Sequence, residues 1–218
     1  MNFVYLPLAL HLPDGYLNAE SCAVTWILAI VGVIVAIVKL KNTPANPNLV
    51  PLMVVCAGFI FVAQMLNFDI PNGTSGHLLG GTLCAVLIGP WAATLIMSIV
   101  ITVQAVVFQD GGLIVLGANI CNMGLVATLG GFWLYSWLSR YMGFYLAVVF
   151  TAWLSVVVAA IITAGQLAIS GTTELFTALQ AMLYWHWQIG LGEALVSLAV
   201  LVPLRLWRPE LFWQTRGV

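Results

Sequence analysis

Residues 67–87 read NFDIPNGTSGHLLGGTLCAVL, a polar, glycine-rich loop that delivers His77 to the start of a very apolar helix. Pro71, Gly73 and Gly76 cannot continue a helix, and Asn72, Thr74 and Ser75 offer backbone and side-chain oxygens instead. The helix that follows is closed by Pro90, so it has about 14 residues and spans about 21 Å at 1.5 Å rise, against ~30 Å of bilayer hydrocarbon. One of its ends must therefore lie below the membrane surface. Irregular backbone is tolerated there only where protein buries it or where it lines a cavity, which places His77 in a pocket.

The membrane setting follows from composition. The chain has 218 residues, 62% hydrophobic and only 6% charged, with a mean hydropathy of +1.08. Soluble domains are roughly a quarter charged, so this is an integral membrane protein facing a lipid bilayer. A net charge of −1 leaves no basic face for nucleic acid. Cys22, Cys56, Cys84 and Cys121 lie in apolar runs without C-x-x-C spacing and are expected to pack within helices rather than form disulfides or a metal cluster.

Apolar stretches predict an all-α, polytopic membrane helical bundle of about seven transmembrane helices. The expected spans are 22–38, 50–66, 77–89, 91–108, 119–138, 144–169 and 188–206, with residues 174–187 forming an interfacial helix that ends in an aromatic belt of Tyr184, Trp185 and Trp187. With the amino terminus outside and the carboxyl terminus cytoplasmic, Lys39, Lys41, Arg140, Arg205, Arg208 and Arg216 all fall on the cytoplasmic side, as basic residues do. The same topology puts His11, His77 and His186, together with Asp14, Glu20, Asp69, Asp110 and Glu174, at the outer face. Gly80, Gly81, Gly124, Gly130, Gly131, Gly190 and Gly192 would let helices approach closely. No internal repeat or low-complexity linker divides the chain, which reads as one domain over residues 10–218 preceded by a short extension, 1–9.

The chemistry-bearing residues are few. There is no G-x-x-x-x-G-K-[ST] loop, since the only lysines stand in KLKN, and no legible Ser/His/Asp or H-E-x-x-H pattern, so the chain is not expected to be an enzyme. Imidazole suits cobalt, nickel, copper and zinc, and His77 in its loop is the leading candidate ligand. His11, in HLPDGYL, precedes a proline and an Asp14-Gly15 turn able to fold the terminus inward; a ligand role and a packing role are both open for it. His186, among tryptophans, is expected to anchor the belt. Gln64, Gln104, Asn119, Asn122, Gln166 and Glu193 are costly in lipid and should face the interior; Asn119 and Asn122, three apart, share a helical face. Glu193 is either functional or a charge paired with Gln188 or His186.

The segments HLPDGYLNAE, AQMLNFDIPNGTSGHLLGGTL, IGPWAATLIM, VQAVVFQDGGLIVLGANICNMG and IGLGEAL resemble the CbiM/NikM family, the substrate-capture membrane subunits of energy-coupling-factor ABC transporters for cobalt and nickel. The resemblance runs from His11 to the end of the last span. It implies a bundle whose amino terminus is inserted to bind the metal through its terminal amine, the amide nitrogen and imidazole of a second-position histidine, matching His11, and a loop histidine, matching His77. Asp14, Asn72, Thr74 and Ser75 would surround that site. No resident cofactor is implied: Co2+ or Ni2+ is the cargo. The implied partners are a coupling transmembrane subunit, ATP-binding cassette ATPase subunits and a small accessory membrane subunit, in the inner (plasma) membrane of a prokaryote.

One departure concerns the start. The family begins Met-His, whereas nine residues precede Leu10-His11 here. The true start could be Leu10, whose codon would be read as Met, so that Leu10 supplies the terminal amine; the extension could be removed; or the site could use other ligands. The first is favoured, since MNFVYLPLAL has no signal-peptide anatomy and is too short to span. The competing class for the whole chain is a metal-independent membrane protein, such as a vitamin-type capture subunit. Donor type does not separate cobalt from nickel.

Overall fold

The computed structural model describes residues 10–65, 68–70 and 74–213, with 68–70 and 74–76 as backbone only. Helix α1 (Ala19–Lys41) starts at Asn18, whose Oδ1 accepts the Ser21 N–H at 2.8 Å, and carries Glu20 in its first turn and Lys39 and Lys41 in its last, as the helix dipole favours. Helix α2 (Leu49–Met65) follows. The loop expected to be irregular instead holds a small antiparallel hairpin, β1 (Phe68–Ile70) against β2 (Thr74–Gly76), pairing Phe68 with Gly76 and Ile70 with Thr74. Pro71, Asn72 and Gly73 at its tip lie outside the described residues.

The expected third span is shorter than its apolar run. Helix α3 is Gly81–Ile88, eight residues, and His77 precedes it in extended chain rather than opening it. The reason is local: Gly80 sits at φ 75°, in the left-handed region, and a side chain there would lie 1.9 Å from Ile60 Cδ1. At 1.5 Å per residue α3 rises only about 12 Å. Its far end meets Gly89 and the α4 helix (Pro90–Val103), which a π turn extends through Phe108. The Trp213 N–H donates to Leu87 O at 2.8 Å, so the chain's return closes that end of α3.

Helix α5 (Leu116–Asn119) continues through a π-helical stretch, Ile120–Gly130, into α6 (Gly131–Ile169). Gly143, at φ 75° and ψ 177°, breaks α6, which keeps the expected separation between the fifth and sixth apolar stretches. The interfacial helix is corrected: residues 174–187 and the last span form one helix, α7 (Leu175–Trp207), because no proline interrupts them before Pro203. Among the described residues four helical stretches are long and apolar enough to cross a membrane, namely Ala19–Lys41, Pro90–Phe108, Leu116–Ile169 and Leu175–Trp207, and Leu49–Met65 is a shorter apolar helix.

Packing distinguishes interior from lipid face. Val24, Ile27, Leu28, Ile30, Val31 and Ile34 of α1 each expose more than half their surface, as a lipid-facing helix does. The inward side is built from small residues and hydroxyls: Gly117 lies so close to α1 that a Cβ would stand 2.6 Å from Trp26 Cα, and Thr94 and Thr128 join α4 to the π-helical stretch at 2.7 Å. Such contacts substitute for the hydrophobic drive that lipid removes. All four cysteines are free and buried. At the end carrying the α1–α2 connection, a cavity of about 930 Å³ is lined by residues 42–47, Trp91, Arg140 and Glu210 among others.

Candidate metal centre

The site lies at the other end of α1, α3 and α4, where two non-helical segments enter the bundle. The first is the chain before α1. Leu10 and Leu12 are buried, and His11 is 7% exposed. Leu12 is held by its backbone: its N–H donates to Asn119 Oδ1 at 2.9 Å, and its carbonyl accepts from Asn119 Nδ2 at 3.1 Å and from the Gly112 N–H at 2.8 Å. A single asparagine thus satisfies both main-chain groups of one residue, much as a neighbouring strand would. Two residues on, the exposed Asp14 carboxylate accepts the N–H groups of Leu113, Ile114 and Val115 at 3.1, 2.7 and 3.2 Å. Gly112 is required for this embrace, since a Cβ there would stand 2.1 Å from Asp14 Oδ1.

The second segment, residues 77–80, is anchored from two helices. Leu79 donates its N–H to Glu193 Oε2 at 2.9 Å and accepts from Gln64 Nε2 at 2.7 Å; Gly80 donates to Glu193 Oε1 at 2.6 Å. His77, 5% exposed, directs Nδ1 at Leu78 O, 2.9 Å away. A carbonyl only accepts, so Nδ1 carries the proton and Nε2 keeps its lone pair, the tautomer a metal ligand needs. Burial, aided by the neighbouring His11, pushes the His77 imidazole down to about 3, so it is neutral at physiological pH.

The two segments converge. The His11 and His77 rings lie 4.5 Å apart, centroid to centroid, tilted by 38°. His11 Nδ1 faces Asp110 Oδ1 at 3.1 Å as an ion-pair contact, while His11 Nε2 and Asp110 Oδ2 are buried without a hydrogen-bond partner. Contact with His11 holds the Asp110 carboxyl below its usual range. A buried nitrogen with nothing to bond is costly unless something occupies the space beside it. Among the described residues no three His, Cys, Asp or Glu side chains group to hold an ion.

The other expected site residues fall elsewhere. Asp14 braces the backbone of 113–115. Asn72 and the side chains of Thr74 and Ser75 lie outside the described residues. Asn119 and Asn122 serve different neighbours: Asn119 grips Leu12, whereas Asn122 exchanges amide hydrogen bonds with Gln166 at 2.7 and 2.9 Å and donates to Thr163 at 3.0 Å. His186 is not a belt anchor. It is 2% exposed and its Nδ1 lies 2.7 Å from Met182 O, while its neighbours Tyr184 and Trp187 are exposed. Glu193 pairs with neither Gln188 nor His186; its partners are the N–H groups of the His77 loop. Asp110 was not singled out as a site residue, although its DGG triplet was legible as a motif; only the fold places it against His11.

Comparison with known proteins agrees with this architecture. The profile of the CbiM family, described as a cobalt uptake substrate-specific transmembrane region, matches residues 11–211. A protein of Archaeoglobus fulgidus bearing the name NikMN is 35% identical over 207 residues, covering 94% of this chain and 68% of its own length. A cobalt transport protein CbiM of Nostoc is 32% identical over 164 residues, covering 74% of this chain and 63% of its own. A crystal structure of a transition metal transporter superposes with a TM-score of 0.82 at 31% identity, over 90% of this chain and 92% of the other. The chain belongs to the CbiM family of cobalt-uptake, substrate-specific transmembrane proteins.

Proposed function

We propose that this chain is the substrate-binding membrane subunit of an energy-coupling-factor ABC importer, capturing Co2+ or Ni2+ between His11 and His77. The observation that carries it is the convergence of two buried histidines 66 positions apart in the chain, one with its Nε2 unpartnered. Imidazoles bonded at about 2.0–2.1 Å to adjacent positions of one ion hold their ring centres roughly 4.5 Å apart, the separation found here. Two side-chain nitrogens leave an ion under-coordinated, and the main-chain nitrogens at Leu10 and His11 are the nearest supplement in sequence. Asp110 adds negative charge beside the ion.

Capture takes place at the outer face. The basic residues support this orientation: Lys39, Lys41, Arg140, Arg205 and Arg208 attach to the end of the bundle away from the histidines. With no phosphate-binding loop in the sequence, ATP hydrolysis belongs to separate ATPase subunits acting through a coupling membrane subunit in a prokaryotic plasma membrane. The greater length of the Archaeoglobus relative, named a fused nickel transport protein, supports a small accessory membrane subunit.

The test is titration of the purified full chain with Ni2+ and Co2+, alongside His11→Ala and His77→Ala. Saturable binding that either substitution reduces by at least about 100-fold is expected, since losing a ligand should cost at least as much as the upper end of the range for losing a ligand's outer partner. Binding of neither metal by the native chain would favour the metal-independent class of capture protein.

A further inference from the structure

The short helix that follows His77 creates an electrostatic problem for any cation held there. Its N-terminus faces the 77–80 segment, and a helix N-terminus carries about half a positive charge. The eight-residue α3 begins four residues after His77, so its repulsive end lies on the segment where the proposed function needs a divalent ion. Glu193 stands at that end. It is 2% exposed, and its two oxygens each accept one N–H, from Leu79 and from Gly80. Two main-chain N–H groups, one on each oxygen, favour the carboxylate, which accepts at both oxygens more strongly than the acid does. Among the described residues no Lys or Arg pairs with it. A buried carboxylate without a cationic side chain is expensive at membrane depth and marks function by default.

We infer that Glu193 is a positioning and counter-charge residue for cation capture: from α7 it fixes the His77 loop and cancels the positive end of α3, so that a divalent ion can rest on His77. The inference rests on the metal-capture reading of His77. Gln64 supplies the neutral comparison, since it grips the same Leu79 peptide from α2 without bringing charge.

The experiment titrates Ni2+ and Co2+ into the purified full chain and into Glu193→Gln, Glu193→Asp, Gln64→Ala and His77→Ala, with metal-free thermal stability and the Ni2+ ligand-field absorption as further readouts. Glu193→Gln is expected to weaken both metals by about 30-fold or more, within the range for outer partners of metal ligands, and to shift the nickel band. Glu193→Asp, which keeps the charge, is expected to recover most of that loss, and Gln64→Ala to lose less affinity than Glu193→Gln. A Glu193→Gln chain that binds like the native one with an unchanged spectrum overturns the inference, as does equal loss in Gln and Asp. Should Glu193→Gln not fold, Glu193→Asp decides: binding close to native supports the role, and a loss as large as that of His77→Ala overturns it. If the native chain itself binds no metal, the capture reading fails; if it binds and His77→Ala does not, while Glu193→Gln still does, only the role of Glu193 fails.

Discussion

The segments that carry His11 and His77 are both irregular chain inside a helical membrane protein, yet they are secured differently. His11 belongs to a segment held against one stretch about a hundred positions away, 110–119, through that stretch's neutral Asn119 and the segment's own exposed Asp14. His77 belongs to a loop held from two helices, α2 just before it in the chain and α7 far after it, through a buried amide and a buried carboxylate. Both solve the same requirement, since main-chain groups at membrane depth have no water to satisfy them. The first resembles a strand laid against a single neighbour; the second is tied by buried polar groups into two helices of the bundle. Disturbing the His77 loop should therefore cost the whole fold, whereas disturbing the His11 segment should cost the site more than the fold.

The largest effect is expected at Gly80. Alanine there meets both a left-handed backbone and Ile60 Cδ1 at 1.9 Å, a combined cost of roughly 2–4 kcal/mol. Thermal unfolding in detergent should show Gly80→Ala as the least stable variant, with Ile60→Ala restoring the steric part alone. Full stability in Gly80→Ala would erase the distinction between the two segments.

Next is Asn119→Ala, which strips the amide bonds from both the N–H and the C=O of Leu12. Orphaned buried groups cost about 1–3 kcal/mol each, but the carbonyl keeps Gly112 as a donor. The loss should fall on the segment, so that metal affinity drops more steeply than melting temperature. Limited proteolysis before α1 would show the release directly.

Acid should act on the metal-free protein through both histidine surroundings. Folded His77 takes a proton only near pH 3, against 6.5 for a free histidine. Between those values the unfolded chain binds more protons, so stability falls as pH drops. Asp110, whose carboxyl is held low beside His11, pulls the same way, its contribution being present above the ordinary carboxylate range and lost on acidification. Melting temperatures measured from pH 7 to pH 4 should decline, and His77→Gln should flatten the curve. An equal slope in that variant would assign the acid sensitivity elsewhere.

Asp14→Asn should have the smallest effect. It keeps one acceptor for the three N–H groups and lies in the open, where a charge is worth about 1 kcal/mol or less. A melting shift comparable to that of Asn119→Ala would show that the His11 segment depends on charge after all.

Much of this molecule was readable without coordinates, and the physical reason is solvent. Lipid demands long apolar stretches and penalises every polar group inside them, so the membrane class, the helical architecture, the break of the third apolar run and the polar residues facing inward stand out in the chain itself. His11 and His77 could be selected because each adjoins glycine or proline where a helix cannot continue. What the sequence could not order were contacts between distant segments. The hairpin, the start of α3 at Gly81, the fusion of residues 174–187 into α7 and the burial of His186 depend on what packs beside them, and hydropathy carries no register for that. Asp110 joined His11, and Glu193 joined the His77 loop 114 positions away, only when the tertiary structure closed around them. Composition determined the solvent and therefore the secondary structure; three-dimensional packing alone decided which polar groups meet, because each buried donor takes whichever acceptor the fold brings within reach.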